Sequence, residues 1–148
     1  MEVQPDFKEL LELFNSHNVD FIIVGGYALA FHGAPRFTGD IDVLVKPTLE
    51  NSQKIMSALA EFGFGDVGLS AEDFQVEGQV IQLGVPPVRI DLITSITGVS
   101  TDTAFAQCVP GKYGEVSVNF ISRSDFIDNK RASGRKRDLS DLEDLGEE

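Results

Sequence analysis

The most constraining feature of the chain is an unbroken apolar run, Phe21-Ile22-Ile23-Val24, which stops at Gly25-Gly26. A short run rich in β-branched residues predicts a strand buried on both faces, because a strand with one solvated face alternates apolar and polar residues. Other elements must therefore cover both sides of the sheet. Good helix formers follow from Tyr27 to His32, so the two glycines are expected at a strand-to-helix turn.

The rest of the chain alternates between helix and strand patterns. We predict helices over about residues 6–17, 27–32, 49–62, 101–108, 122–133 and 137–145, and strands over 21–24, 40–45, 79–83, 88–93 and 116–121. The connection over 84–87 is expected to close a hairpin. This order predicts an α/β (α+β) fold, a mixed β-sheet flanked by helices. The chain has 148 residues, so a single domain over residues 1–148 is expected.

Composition excludes several classes of protein. No run of eighteen apolar residues occurs, and the N-terminal sequence lacks the basic and apolar regions of a signal peptide. Cys108 is the only cysteine, so no intrachain disulfide or multi-cysteine zinc site can form. We therefore expect a cytoplasmic protein that does not enter the membrane.

The charge of the chain argues against binding long nucleic acid over its whole surface. There are 24 acidic and 12 basic residues, which gives a formal net charge of −12. Binding of a polyanion depends on Lys and Arg neutralising phosphates. Five of the 12 basic residues lie between Lys130 and Arg137, however. A polyanion is expected to bind there or through a metal ion.

Three carboxylates indicate a metal site. Asp40 and Asp42 alternate along a predicted strand and therefore share one face, and Asp91 lies in a separate, apolar strand. Carboxylates placed together repel one another, and burying them unpaired is unfavourable. A divalent cation, Mg²⁺ or Mn²⁺, would relieve that repulsion and suits phosphoryl or nucleotidyl transfer. Gly25 and Gly26 would let the backbone approach a phosphate closely.

These motifs resemble those of a known superfamily. Gly25-Gly26, thirteen intervening residues and Asp40-Ile41-Asp42 are similar to the signature of the nucleotidyltransferases, which have the polymerase-β-like fold. The run from Gly25 to Gly33, followed by Arg36 and Thr38, looks like the AbiEii-type branch of small nucleotidyltransferase-like proteins. Residues 84–93 resemble the third-carboxylate strand of that branch, and residues 129–142 resemble its closing Lys/Arg/Asp motif. The resemblance extends from about residue 21 to 145.

The resemblance implies a nucleotidyltransferase fold and a magnesium-dependent enzyme. It would transfer an NMP group from an NTP such as ATP to a hydroxyl of RNA (for example tRNA), a protein or a small molecule, and some relatives belong to toxin–antitoxin systems. In this family the first two carboxylates hold the metals, and the third binds the second metal or activates the acceptor hydroxyl. The carried-over residues are Asp40, Asp42 and Asp91 for catalysis and metal binding, and Gly25, Gly26, Arg36, Thr38, Lys130, Arg135 and Lys136 for nucleotide binding.

Other interpretations of the same residues stay open. Larger nucleotidyltransferases carry further segments that select the acceptor, so a chain of 148 residues would need a partner chain, a homo-oligomer or a small cleft. A catalytically silent nucleotide-binding or interaction module is the main alternative, and a glycosyltransferase that uses Asp-x-Asp is a weaker one. The basic residues near Arg135 could equally form a helix end balanced by the acidic tail, which contains Asp138, Asp141, Glu143 and Asp144.

Overall fold

The computed structural model describes residues 3–35, 39–64, 68–85 and 88–147. Within these ranges the helices are α1 (Pro5–Ser16), α2 (Gly25–Phe31), α3 (Leu49–Phe62), α4 (Thr101–Gln107), α5 (Arg123–Ser133) and α6 (Lys136–Asp144). The strands are β1 (Phe21–Val24), β2 (Asp40–Val45), β3 (Val80–Val85), β4 (Val88–Ile93), β5 (Val109–Tyr113) and β6 (Val116–Phe120), and Ala71–Phe74 form one short 3₁₀ helix. None of the described helices is long and apolar enough to span a membrane.

The strands form one mixed sheet in the order β3-β4-β2-β1-β6-β5. Neighbours β1 and β2, β3 and β4, and β5 and β6 are antiparallel, whereas β2 and β4, and β1 and β6, are parallel. All four residues of β1 are buried, and this strand lies in the interior of the sheet. The predicted mixed sheet flanked by helices is confirmed.

Helix α1 covers the sheet face that points away from Asp42. Its buried residues Phe7, Leu10, Leu11 and Phe14 follow the spacing of one helix face. Phe14 contacts Phe21 of β1 edge to face, with ring centroids 5.4 Å apart. Phe21 and Val24 are three residues apart in β1 and point to opposite faces, and Val24 is the residue that pairs with Asp42. The side chain of Asp42 therefore lies on the face of the sheet opposite to α1.

The structure corrects two boundaries and adds one strand. Helix α2 begins at Gly25, so the glycine pair forms its first turn instead of preceding it. The β3–β4 hairpin is present, but both strands extend to Val85 and Val88, so its turn is shorter than the predicted segment 84–87. Strand β5 was not predicted, because Pro110 and Gly111 interrupt its pattern. Both residues are tolerated there because β5 is an edge strand.

Candidate active site

The register between β2 and β4 brings the three predicted carboxylates together. In this parallel pair Asp42 lies opposite Asp91, and Asp40 lies opposite Arg89. Residues opposite one another in a sheet, and residues two apart on a strand, have side chains on the same face. Asp40, Asp42, Arg89 and Asp91 therefore form one cluster, which we call the carboxylate cluster.

Gly25 allows the chain to pass directly beside this cluster. It follows Val24, the β1 residue that pairs with Asp42, and it adopts a left-handed conformation with φ of 67°. A Cβ atom at this position would overlap Oδ2 of Asp42. Only glycine meets both conditions without strain. Gly26, also in the first turn of α2, is buried.

The Asp42 carboxyl holds its proton unusually strongly. Burial is the main cause, and the neighbouring carboxylates of Asp91 and Asp40 add to it, so that the pKa of Asp42 rises from 3.8 to about 6. Asp91 is 7% exposed, and its Oδ1 atom has no hydrogen-bond partner. The two carboxylates are thus crowded and partly desolvated, which is an environment that favours binding of a cation.

Arg89 is a member of the cluster that the sequence interpretation missed. Its Nη2 atom donates a 2.6 Å hydrogen bond to Oδ2 of Asp40 and a 3.3 Å one to Oδ2 of Asp91. Its Nε atom lies 3.3 Å from Oδ1 of Asp91 but is not aligned for a hydrogen bond. The guanidinium thus bridges two of the three carboxylates. Its position two residues before Asp91 in a strand was the available signal, because that spacing places both side chains on one face.

Lys130 brings a second positive charge near the cluster. It is 8% exposed on α5, and its charge lowers the pKa of Asp42. Its Nζ atom lies 3.2 Å from Oδ1 of Asp138 and 3.7 Å from Oδ2 of Asp141. The ammonium is therefore held by these two carboxylates while its charge acts on Asp42.

Acidic residues of the C-terminal segment balance the basic residues of α5 and α6, as the alternative interpretation expected. Asp138 and Asp141 are buried, at 0% and 2% exposure, whereas Glu143 and Asp144 are exposed. Burial raises the pKa of Asp138, but hydrogen bonds from Arg135 and Ser133 and the charge of Lys130 outweigh it and hold that pKa well below its usual range.

The remaining predicted nucleotide-binding residues differ in how near they lie to the carboxylate cluster. Arg135 donates a 2.8 Å hydrogen bond from Nε to Oδ2 of Asp138, while most of its side chain stays exposed. Asp138 raises the pKa of Arg135, and the charge of Asp42 adds to that rise. Lys136 is exposed at the start of α6, and no contact joins it to the carboxylate cluster in the described ranges. Arg36 and Thr38 lie outside the described residues.

Asp42 and Asp91 are the side chains of the cluster that could hold a divalent cation. Among the described side chains, no group of three His, Cys, Asp or Glu residues forms a ready metal cage. Asp42 and Asp91 nevertheless provide two adjacent, crowded carboxylates, one of them with an unpartnered oxygen. Mg²⁺ commonly takes one or two carboxylates and completes its shell with water and substrate phosphates. The donor set therefore suits Mg²⁺ or Mn²⁺ bound together with a nucleotide.

Comparison with known families gives one match along nearly the whole chain. Residues 10–146 match the family described as nucleotidyl transferase AbiEii toxin of a type IV toxin–antitoxin system. No curated protein sequence matches the chain.

Solved structures with nucleotidyltransferase assignments share the fold at low sequence identity. The Thermotoga maritima protein TM1012, assigned as a nucleotidyltransferase, is 12% identical with a TM-score of 0.64, and the match covers 96% of this chain and 93% of that one. The antibiotic-resistance factor ANT(2'')-Ia is 13% identical with a TM-score of 0.62, covering 95% and 80%. Lincomycin-bound LnuA, a lincosamide antibiotic adenylyltransferase, is 14% identical with a TM-score of 0.56, covering 97% and 96%.

Proposed function

This chain belongs to the AbiEii family of nucleotidyl transferase toxins, and from that premise we propose that it is a metal-dependent enzyme that moves an NMP group from an NTP to a hydroxyl. The observation that supports this most is the crowded pair of Asp42 and Asp91 beside the backbone of Gly25. The burial that raises the pKa of Asp42 to about 6 reduces stability, and carboxyl groups perturbed in this way are typical of functional sites. The arrangement is explained if a cation and a triphosphate bind there.

Asp42 and Asp91 would hold the metal, with Asp40 at the edge of the site. Bound Mg²⁺ or Mn²⁺ would supply charge neutralisation for the triphosphate and for the oxygen that leaves. Arg89 would orient Asp40 and Asp91, since it donates a hydrogen bond to both.

The transfer itself is a single displacement at the α-phosphorus. The acceptor oxygen forms a bond to that phosphorus while the bond to the bridging oxygen of the β-phosphate breaks, and pyrophosphate leaves. We assign Asp91 to accept the proton of the acceptor hydroxyl, because it is buried beside Asp42 and its Oδ1 atom accepts no hydrogen bond. Lys130 and Arg135 would face the phosphates, both positioned by Asp138.

The acceptor is expected to be small or proteinaceous. The net charge of −12 opposes a long polyanion, although the basic residues of α5 and α6 leave a route for the end of an RNA such as tRNA. Similar folds are found in a lincosamide adenylyltransferase and in ANT(2'')-Ia bound to adenylyl-2''-tobramycin. ATP with a hydroxylated small molecule is therefore the first combination to test.

A melting experiment tests nucleotide binding before the acceptor is known. Wild type and Asp42→Asn are melted with each of the four NTPs, with and without Mg²⁺ or Mn²⁺, and exposed Glu9→Gln on α1 is the control. A ligand that binds only the folded state raises the melting temperature by mass action. We expect a metal-dependent rise in wild type and in Glu9→Gln that is lost in Asp42→Asn. Equal shifts in all three proteins would reject the carboxylate cluster as the site.

A second candidate is a silent nucleotide-binding module, favoured by the bridge that Arg89 makes between Asp40 and Asp91. That bridge already neutralises part of the charge that a metal would neutralise. Release of pyrophosphate from an α-labelled NTP, together with label on an acceptor, would exclude this candidate. Binding of the NTP with no release of pyrophosphate with any acceptor tested would favour it.

Growth arrest on expression, abolished by Asp42→Asn, would support the role of toxin.

A further inference from the structure

Arg89 interacts unequally with the two carboxylates that it bridges. Its hydrogen bond to Oδ2 of Asp40 is 2.6 Å long, whereas the one to Oδ2 of Asp91 is 3.3 Å. Nε of Arg89 and Oδ1 of Asp91 lie 3.3 Å apart, yet both atoms are buried with no hydrogen-bond partner among the described residues. Charge-assisted hydrogen bonds are typically about 2.7–2.9 Å. Arg89 is therefore held firmly by Asp40 and only loosely by Asp91.

The loosely held carboxylate is also one of the two that could hold a cation. Asp91 lies opposite Asp42, so a cation bound by this pair and the guanidinium of Arg89 would share Asp91. A buried polar atom without a partner is unfavourable, and Oδ1 of Asp91 is such an atom. It would gain a partner if a cation bound there. Two positive charges at one carboxylate repel each other, so the guanidinium and the cation compete for Asp91.

The sheet leaves Arg89 room to give up this contact. In the register of the sheet, Arg89 lies between Asp40 of β2 and Gly84 of β3. Opposite residues have their side chains on the same face, and Gly84 is exposed and has no side chain to fill the space next to Arg89. The side chain of Arg89 is 30% exposed, whereas that of Asp91 is 10% exposed. The guanidinium can therefore move outwards without opening the core.

We propose that Arg89 is a positioning residue that competes with a divalent cation for Asp91, leaving that carboxylate and staying on Asp40 when the cation binds. Binding of the cation then breaks one contact of Arg89, so the site binds a free cation less tightly than Asp42 and Asp91 would without Arg89. Asp40 acts through Arg89, as its anchor. This inference rests on the proposed function only in that the carboxylate cluster binds a divalent cation.

Binding of Mn²⁺ to the full chain, measured by electron paramagnetic resonance of the free ion, tests the competition without a nucleotide. Arg89→Met removes the competitor and should tighten Mn²⁺ binding about tenfold or more. Arg123→Met is the matched control, because Arg123 loses the same charge but pairs with Glu147 and the Leu145 carbonyl. It should leave Mn²⁺ binding unchanged.

The direction of the change separates competition from a merely structural role. If Arg89 only held the cluster in shape, Arg89→Met would bind Mn²⁺ less tightly than wild type. Equal or weaker binding by Arg89→Met overturns the proposal, and so does an equal gain in Arg123→Met, which would indicate a general effect of charge. Absence of Mn²⁺ binding in both wild type and Arg89→Met also overturns it.

Asp40→Asn, made in wild type and in Arg89→Met, tests whether Asp40 acts through Arg89. In wild type the loss of the anchor leaves the guanidinium to Asp91, so Mn²⁺ binding should weaken. In Arg89→Met there is no guanidinium to anchor. Asp40→Asn should therefore weaken Mn²⁺ binding about fivefold or more in wild type relative to its effect in Arg89→Met. Equal weakening in both backgrounds would show that Asp40 acts on the cation directly and would overturn the proposal.

Nitrogen-15 NMR of the arginine side chains provides a measurement on the unaltered protein, in case Arg89→Met does not fold. Saturating Mg²⁺ should shift the Nε–Hε signal of Arg89 and leave that of Arg123 in place. An Arg89 signal that does not move overturns the proposal. Failure of these tests while NTP and metal still raise the melting temperature would reject the competition alone. Competition for Mn²⁺ without any NMP transfer would instead reject the transferase.

Discussion

Replacing Asp42 with Asn is expected to stabilise the protein while removing its proposed chemistry. The pKa of Asp42 is raised from 3.8 to about 6, chiefly by burial and then by Asp91. The folded state therefore binds the Asp42 proton more tightly than the unfolded state does. The contribution of Asp42 to stability is therefore greatest below pH 4, where the group is protonated in both states, and it falls as pH rises until the folded group is ionised above pH 6.

The size of the effect follows from the difference between the two pKa values. A shift of one pKa unit corresponds to about 1.4 kcal/mol, so ionised Asp42 lowers the free energy of unfolding by about 3 kcal/mol at pH 8 and by about half of that at pH 5. Asn has nearly the same shape but no charge, so it avoids this loss. For a domain of this size the gain corresponds to a rise in melting temperature of about 6–12 °C at pH 8.

Urea unfolding of wild type and Asp42→Asn from pH 5 to pH 8, with a chelator present, measures the prediction. The variant should be more stable at every pH, and its advantage should grow by about 1–2 kcal/mol between pH 5 and pH 8. Glu9→Gln, at an exposed position of α1, should show no such growth. An advantage that is independent of pH, or a variant less stable than wild type at pH 8, would refute the reasoning.

Three further substitutions probe the same site. Gly25→Ala places a Cβ against Oδ2 of Asp42 at a positive φ, so it should reduce the free energy of unfolding in urea by more than Gly33→Ala, where φ is also positive but the space is open. Arg89→Met leaves two carboxylates without their shared cation, so it should lower the free energy of unfolding in urea by about 2 kcal/mol. Asp138→Asn removes a fully buried partner of two cations and should lower the free energy of unfolding by about 3–5 kcal/mol, which thermal unfolding would detect as a large fall in melting temperature. Unchanged stability in any of the three would contradict the contact on which that prediction depends.

The elements with strong local patterns were predictable from the sequence. Strand β1 and helix α3 have the predicted bounds, and Thr48 caps α3 as its hydroxyl position suggests. Strand β5 was not predictable in the same way, because it is held by its ladder with β6 and not by its own sequence. Pro110 and Gly111 favour a loop in the local sequence. They are part of a strand because β5 pairs with β6 at the edge of the sheet, where both residues are tolerated.

The parts of the site that lie within one sequence motif were predictable, whereas the parts brought together only by the pairing of strands were not. Asp40 and Asp42 follow from one strand, but their approach to Asp91 depends on β2 and β4 being neighbours, which the resemblance implied and the alternation alone did not. The burial of Asp138 illustrates the limit more clearly. The sequence around Asp138 is rich in charge and suggests an exposed helix. Asp138 is buried only because α5 packs against α6 and brings Lys130 to it.

The distribution of charge explains why so acidic a chain can hold a triphosphate. Arg89 neutralises Asp40 and Asp91 from within the sheet, and Lys130 approaches Asp42 from α5, yet the pKa of Asp42 is still raised. Among the described residues, these two cations therefore do not offset the effect of burial and of the neighbouring carboxylates on Asp42. A divalent cation would offset that effect and give the site a net attraction for phosphate, so metal and nucleotide are expected to bind cooperatively, each weakly without the other.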